Sequence, residues 1–231
     1  MALKDDLIAQ VKKTFREKWE TKEGNVVPSD KDIPLRNYGV YLDAVCLYAD
    51  MIESTKLVEG RTPEFAAECY KVFLHCASRI IKENGGDVVA FDGDRVMGVF
   101  VTGTKNTNAM QAALKINYAV DQIINPELKS FYIHSDYVLR HCVGIDGGKI
   151  LVTGTGIRTA NDFVWVGKSA NYAAKLCNLR VSNLTSWVTA DVYNAALDVA
   201  KLYNGAAMWS NYSWSQEGNR SIYGSNWYRA C

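Results

Sequence analysis

Two carboxylates, Asp50 and Asp94, stand where apolar, strand-like runs end. Residues 45–55 read Val-Cys-Leu-Tyr-Ala-Asp-Met-Ile-Glu-Ser-Thr, and the apolar run stops abruptly at Asp50. A run of this length fits a buried strand better than a helix. Residues 86–100 place two more strand-like runs around Phe91-Asp92-Gly93-Asp94, and Asp92-Gly93 signals a tight hairpin. A carboxylate at a strand mouth is open on one side and backed by packing on the other. Two of them can share hard divalent cations, which are held by one or two carboxylates and completed by substrate phosphates. Taken singly, a strand-end Asp is more often a turn or cap residue.

A third stretch adds a neutral donor and a cation. Residues 163–176 read Phe-Val-Trp-Val-Gly-Lys-Ser-Ala-Asn-Tyr-Ala-Ala-Lys-Leu. Asn171 and Lys175 are four apart, which on a helix sets both on one face. Such a pair can meet a ribose and a phosphate together. The competing reading is an ordinary solvated helix face.

The elements that must carry these residues follow from pattern. Residues 3–22 read as an amphipathic helix with Leu3, Leu7, Ile8, Val11, Phe15 and Trp19 on one face, suited to packing or dimerisation. Residues 23–37, with Gly24, Pro28 and Pro34, read as a linker, so the division is 1–37 and a core domain 38–231. A strand at 39–49 leads to a helix at 63–82, opened by Pro63 and closed by Asn84-Gly85-Gly86. The 87–101 hairpin is followed by a helix at 106–124 that Pro126 should stop. A strand at 137–146 should turn at Asp146-Gly147-Gly148 into one at 149–153. Strands at 162–166 and 186–189, helices at 169–179 and 191–201, and a hairpin turning at Gly218-Asn219 complete the chain. The order predicts an α+β fold: a mostly antiparallel sheet with helices on one face.

Composition narrows the class. The 231 residues are 48% hydrophobic with net charge +1, enough for one sizeable core and too balanced for a broad nucleic-acid surface. No apolar run reaches the roughly 20 residues of a membrane span, and the N-terminus lacks the apolar core of a signal peptide. The six cysteines form no CxxC pair and read as buried, reduced thiols of a cytoplasmic protein. The three histidines show no metal-ligand spacing.

Together the stretches resemble the class III nucleotidyl cyclase catalytic domain, a ferredoxin-like, palm-type fold. The resemblance covers roughly residues 40–200. Tyr48 to Thr55 looks like its first metal motif, Gly93 to Phe100 its second, Gly144 to Ile150 its central hairpin, and Val166 to Leu176 its ribose helix. It implies that Asp50 and Asp94, with the Met51 backbone carbonyl, hold two Mg²⁺ or Mn²⁺ ions per active site. It implies that Asn171 orients the ribose and that Lys175, where the family has Arg, meets the triphosphate. Lys keeps the charge and loses the bidentate fork. A tail cation often holds the terminal phosphates in this family. Lys201, Arg220 and Arg229 are candidates, with Arg220 and Arg95 taken as the phosphate contacts. The resemblance further implies a head-to-tail homodimer in which one chain supplies the metal carboxylates and the other Asn171.

The two positions that read a purine in this family fall on Ala90 and Val164, which cannot hydrogen-bond a base edge. Tyr48, Phe91 and Trp165 are nearby bulky side chains that would fill the pocket around a smaller base. With these departures the chain looks like the stand-alone pyrimidine cyclases of Pycsar antiphage systems, which make cyclic UMP or cyclic CMP for a downstream effector. The alternatives are an adenylate or guanylate cyclase with a shifted alignment, and a non-catalytic cyclase-homology dimerisation module. Gly85-Gly86-Asp87 superficially resembles a diguanylate cyclase signature but is followed by Val88 and Val89.

Overall fold

The computed structural model describes residues 2–29, 31–157 and 160–231. Its centre is a pair of long antiparallel strands, β2 (Tyr38–Met51) and β5 (His141–Ile157), in register from Gly39↔Thr153 to Met51↔His141. Each is long enough to serve different partners along its length. The outer edge of β2 takes β1 (Glu20–Gly24) in parallel beside Tyr38 to Leu42, and β4 (Arg95–Phe100) antiparallel beside Val45 to Asp50. The outer edge of β5 takes β7 (Ser186–Thr189) in parallel beside Val143 to Ile145, and β6 (Ala160–Val166) antiparallel beside Leu151 to Ile157. β3 (Asp87–Asp92) completes one edge. β10 (Ser210–Trp214) and β11 (Arg220–Ser225) complete the other; β8 (Leu202–Tyr203) and β9 (Ala206–Ala207) pair apart from this sheet. The sheet is mixed and mostly antiparallel, as expected.

Side-chain alternation along β2 divides the core. Val45, Leu47, Ala49 and Met51 face one way. There they meet α3 (Pro63–Glu83), α4 (Lys105–Tyr118), α5 (Asn125–Phe131) and α7 (Ala190–Ala195). Leu42, Ala44 and Cys46 face the other way and meet Ala170 and Ala173 of α6 (Lys168–Cys177). Helices therefore cover mainly one face, and α6 is the exception on the other. α3 starts where its sequence says, with the Thr62 hydroxyl accepting from the Phe65 amide at 3.3 Å. α2 (Ser54–Gly60) opens at Glu53, which has φ 60 and is paired with Lys56 and Arg140.

Four local expectations change. The N-terminal helix, α1 (Leu3–Arg16), is shorter than 3–22, because residues 20–24 pair with β2 instead. Pro126 does not stop a helix. A π-type turn (Ala119–Ile124) leads directly into α5, whose first turn accepts a proline. The helix expected over 191–201 is two short pieces, α7 and a 3-10 turn at Asp198–Ala200. Asp146-Gly147-Gly148 is not a hairpin, since β5 runs straight through it. Asp146 is buried and accepts from Thr189, and a side chain at Gly147 would press on Val192 and Val45. The glycines there answer close packing rather than a turn.

Of the glycines, Gly144 meets the nearest backbone, where α6 lies on β5. A Cβ at Gly144 would stand 2.1 Å from the Ala173 carbonyl oxygen and 2.3 Å from the Cys177 amide nitrogen. Backbone cannot rotate away as a side chain can. Gly144→Ala is expected to cost about 3 kcal/mol or more in urea unfolding. A loss below about 1 kcal/mol, at the level of ordinary surface changes, would contradict this packing.

Candidate active site

Asp50 is the last polar residue of β2 before its end and is 6% exposed. It lies opposite Arg95 in β4 and Cys142 in β5. The Arg95 guanidinium donates to its Oδ2 at 2.8 Å and reaches Asn178 Oδ1 at 3.5 Å. Burial pushes the Asp50 carboxyl up from its ordinary pKa. The hydrogen bond and charge of Arg95 pull it down, and the Asp94 charge pushes it up again. Burial and a like charge together outweigh the single ion pair. Asp94 occupies the β3–β4 turn beside Gly93, whose φ is 60. Its Oδ2 is buried with no hydrogen-bond partner.

A buried carboxylate oxygen without a partner, beside a second carboxylate neutralised on one side only, is an unfavourable arrangement for protein alone. A divalent cation between them relieves both. The donor set is hard oxygen, as Mg²⁺ or Mn²⁺ prefers. The described residues hold no group of three or more His, Cys, Asp and Glu around one point, so further ligands must come from backbone, water or substrate. Met51 ends β2 opposite His141, with its side chain buried in the helical core.

α6 carries the second cluster. Asn171, Lys175, Lys168 and Tyr172 line one cleft together with Glu217. Lys175 is ion-paired with Glu217, which raises its pKa. Its ammonium lies 5.7 Å from the centre of the Tyr172 ring. Arg220, at the start of β11, stacks on the same ring at 4.9 Å and bonds Asp191 at 2.8 Å. Among the tail cations, Arg220 is thus the one beside α6. Lys201 sits over Tyr193, and Arg229 donates to the Val199 carbonyl. Arg95 lies on Asp50 rather than with the cations of α6.

The end of α6 runs toward the carboxylates, for Lys175 lines a cleft with Asn178 and Arg180. Asn178, which touches Arg95, lies seven residues beyond Asn171, about 10 Å along a helix. No hydrogen bond or ion pair joins Asn171 or Lys175 to Asp50 or Asp94 among the described residues.

The expected base-pocket residues divide by strand alternation. Tyr48, Ala90 and Trp165 pack against one core cluster with Met97 and Ala173. Val164 and Phe91 are 39% and 59% exposed and turn away from it. The Trp165 Nε1–H is buried without an acceptor. Reading of the sequence missed Glu217 and Arg180, whose charge also bears on Asp50. Neither sits at a motif spacing that would mark it. All six cysteines are free, and His141 is buried with its pKa lowered to about 4 by that burial. No helix among the described residues is long and apolar enough to cross a membrane.

Asp94→Asn separates metal binding from folding. In EDTA the variant is expected to melt at or slightly above the wild-type temperature, since a buried like charge is removed. Mn²⁺ at a hundred times its Kd should stabilise the wild type by about 2.7 kcal/mol and leave the variant unmoved. An equal Mn²⁺ shift in both proteins would remove Asp94 from the metal site.

No protein-family model matches the chain. Curated relatives align along nearly all of it. A uridylate cyclase of Xanthomonas perforans is 45% identical over 228 residues, 98% of each chain. A uridylate cyclase of Burkholderia cepacia is 47% identical over 220 residues, 94% of this chain and 95% of the relative. Among solved structures, the guanylyl cyclase Cya2 superposes with a TM-score of 0.69 at 16% identity, covering 83% of this chain and 95% of that one. That structural likeness speaks for the fold, and the sequence identity for the family. With strand-end carboxylates, a helix bearing Asn171 and Lys175, and this kinship along the whole chain, the protein belongs to the uridylate cyclase family, on the class III nucleotidyl cyclase fold.

Proposed function

We propose that the chain converts UTP to 3′,5′-cyclic UMP and pyrophosphate. The observation that carries this is the 45% and 47% identity to two uridylate cyclases along almost the full chain. Its reaction forms a bond from the ribose 3′-oxygen to the α-phosphorus and breaks the α–β phosphoanhydride. Pyrophosphate leaves with the electron pair, and the 3′ proton passes to water.

Asp50 and Asp94, with the Met51 carbonyl, hold two Mg²⁺ or Mn²⁺ ions. When bound, such ions lower the pKa of the attacking hydroxyl and neutralise the leaving phosphates. Asn171 orients the ribose. Lys175 offsets charge that develops on the phosphoryl oxygens, and Arg220 contributes a second cation beside it. We take the assembly to be a head-to-tail homodimer, in which each site takes its carboxylates from one protomer and α6 from its partner. Tyr48 and Trp165 pack against the same cluster as Ala90, and such bulk favours a single-ring base over a purine. The orphaned Trp165 N–H suits a carbonyl acceptor, and uracil presents O4 where cytosine presents an amino group. We place the enzyme in the cytoplasm, where its product signals to a separate cyclic-nucleotide-activated effector in antiphage defence.

Purified protein supplied separately with ATP, GTP, CTP and UTP and Mn²⁺, with products resolved by mass, is expected to release cyclic UMP fastest. Faster formation of cyclic AMP or cyclic GMP overturns the base assignment and keeps the cyclase. Cyclic CMP as the main product overturns the choice between the pyrimidines. In the same assay Trp165→Phe should reduce the UTP-to-CTP ratio of kcat/KM about tenfold, the worth of one buried hydrogen bond to an otherwise unpaired group. An unchanged ratio would remove Trp165 from base reading.

A further inference from the structure

The α6 cleft contains a carboxylate that a polyanion site should exclude. Lys168 and Lys175 line it, Arg220 stacks on its Tyr172, and Glu217 stands among them bound to Lys175. A negative charge in that position repels a triphosphate and occupies the lysine meant for it.

The two partners are held very differently. Glu217 ends a 3-10 turn, Ser215–Glu217, and is followed by two left-handed residues, Gly218 at φ 70 and Asn219 at φ 60. The turn closes the β10–β11 hairpin, whose register runs from Ser210↔Gly224 to Trp214↔Arg220. The Glu217 side chain is 19% exposed and that of Lys175 is 55% exposed. The carboxylate is therefore the enclosed member of the pair and the lysine the open one. The pair also divides two neighbouring clefts, one reaching Asn171 and the other reaching Asn178 and Arg180. Its opening would join them.

We propose that Glu217 is a latch on Lys175. In the nucleotide-free chain it holds the ammonium away from the phosphate position, and an incoming triphosphate takes the lysine over. Glu217 is a positioning residue that acts through Lys175 and touches no substrate. Exchange is easy because a half-exposed ion pair is weak, whereas the triphosphate brings several charges. This inference rests on the reading of α6 as the phosphate-binding helix.

The test uses the full chain and the substitution Glu217→Gln, which keeps the shape and removes the charge. The probes are 3′-deoxy-UTP with Mn²⁺, which lacks the attacking hydroxyl, inorganic tripolyphosphate, and uridine. Calorimetric Kd values for the first two should fall about three- to fivefold, the range of a weak ion pair. Uridine binding should not change. In a Lys175→Ala background, Glu217→Gln should change none of the three. Unchanged or weaker triphosphate binding in Glu217→Gln overturns the latch. So does an equal gain in the Lys175→Ala background, which would show bulk charge acting without the lysine. Wild-type protein that binds 3′-deoxy-UTP while the variant shows no gain removes the latch alone. Wild-type protein that binds neither 3′-deoxy-UTP nor tripolyphosphate removes the nucleotide reading of α6 with it.

Discussion

The antiparallel ladder between β2 and β5 is the constraint on which the other features depend. Its register sets Tyr48 opposite Gly144 and Asp50 opposite Cys142. Because side chains alternate, one slip would send Tyr48 and Asp50 to the helical face and bury them among α3 and α4. The same ladder makes Gly144 the place where α6 rests backbone to backbone on the sheet. A single pairing thus fixes Asp50, Tyr48 and the floor under the Asn171 helix.

The electrostatics at the mouth of that ladder are unbalanced in an informative way. Burial raises the cost of ionising Asp50, the Asp94 charge adds to it, and Arg95 satisfies only part of the demand. A protein selected only for stability would replace one of these acids. Function-bearing sites commonly carry such a deficit, which a ligand then makes good. α6 carries the opposite sign, with Lys168, Lys175 and Arg220 near Tyr172 and two of the three already held by Glu217 and Asp191. One chain therefore presents acidic side chains at its strand ends and basic ones along α6.

Much of this was legible from residue order. Pro63 opened a helix, Asp92-Gly93 and Gly218-Asn219 turned where their chemistry demanded, and the four motifs pointed to the family that the relatives establish. These are local signals, decided within a few residues by dihedral preference and hydrogen bonding. The reading of Asp146-Gly147-Gly148 as a turn failed because glycine serves two purposes. Here it clears space for a neighbouring helix, and only the neighbour reveals that. The edge strand β1 was missed for a related reason, since Glu20 to Gly24 is polar and becomes a strand by pairing with Tyr38 to Leu42.

The sequence by itself determined the residue types available for chemistry, their order and the strands and helices that bear them. It could do so because strand periodicity, turn residues and caps act over short distances. Tertiary structure alone decided their partners. It set Arg95 on Asp50 across 45 positions and Glu217 on Lys175 across 42. It turned Trp165 inward while Val164 faces out, and it laid α6 on the face that the other helices leave open. Those outcomes depend on register and packing between segments far apart in the chain, where no local preference reaches.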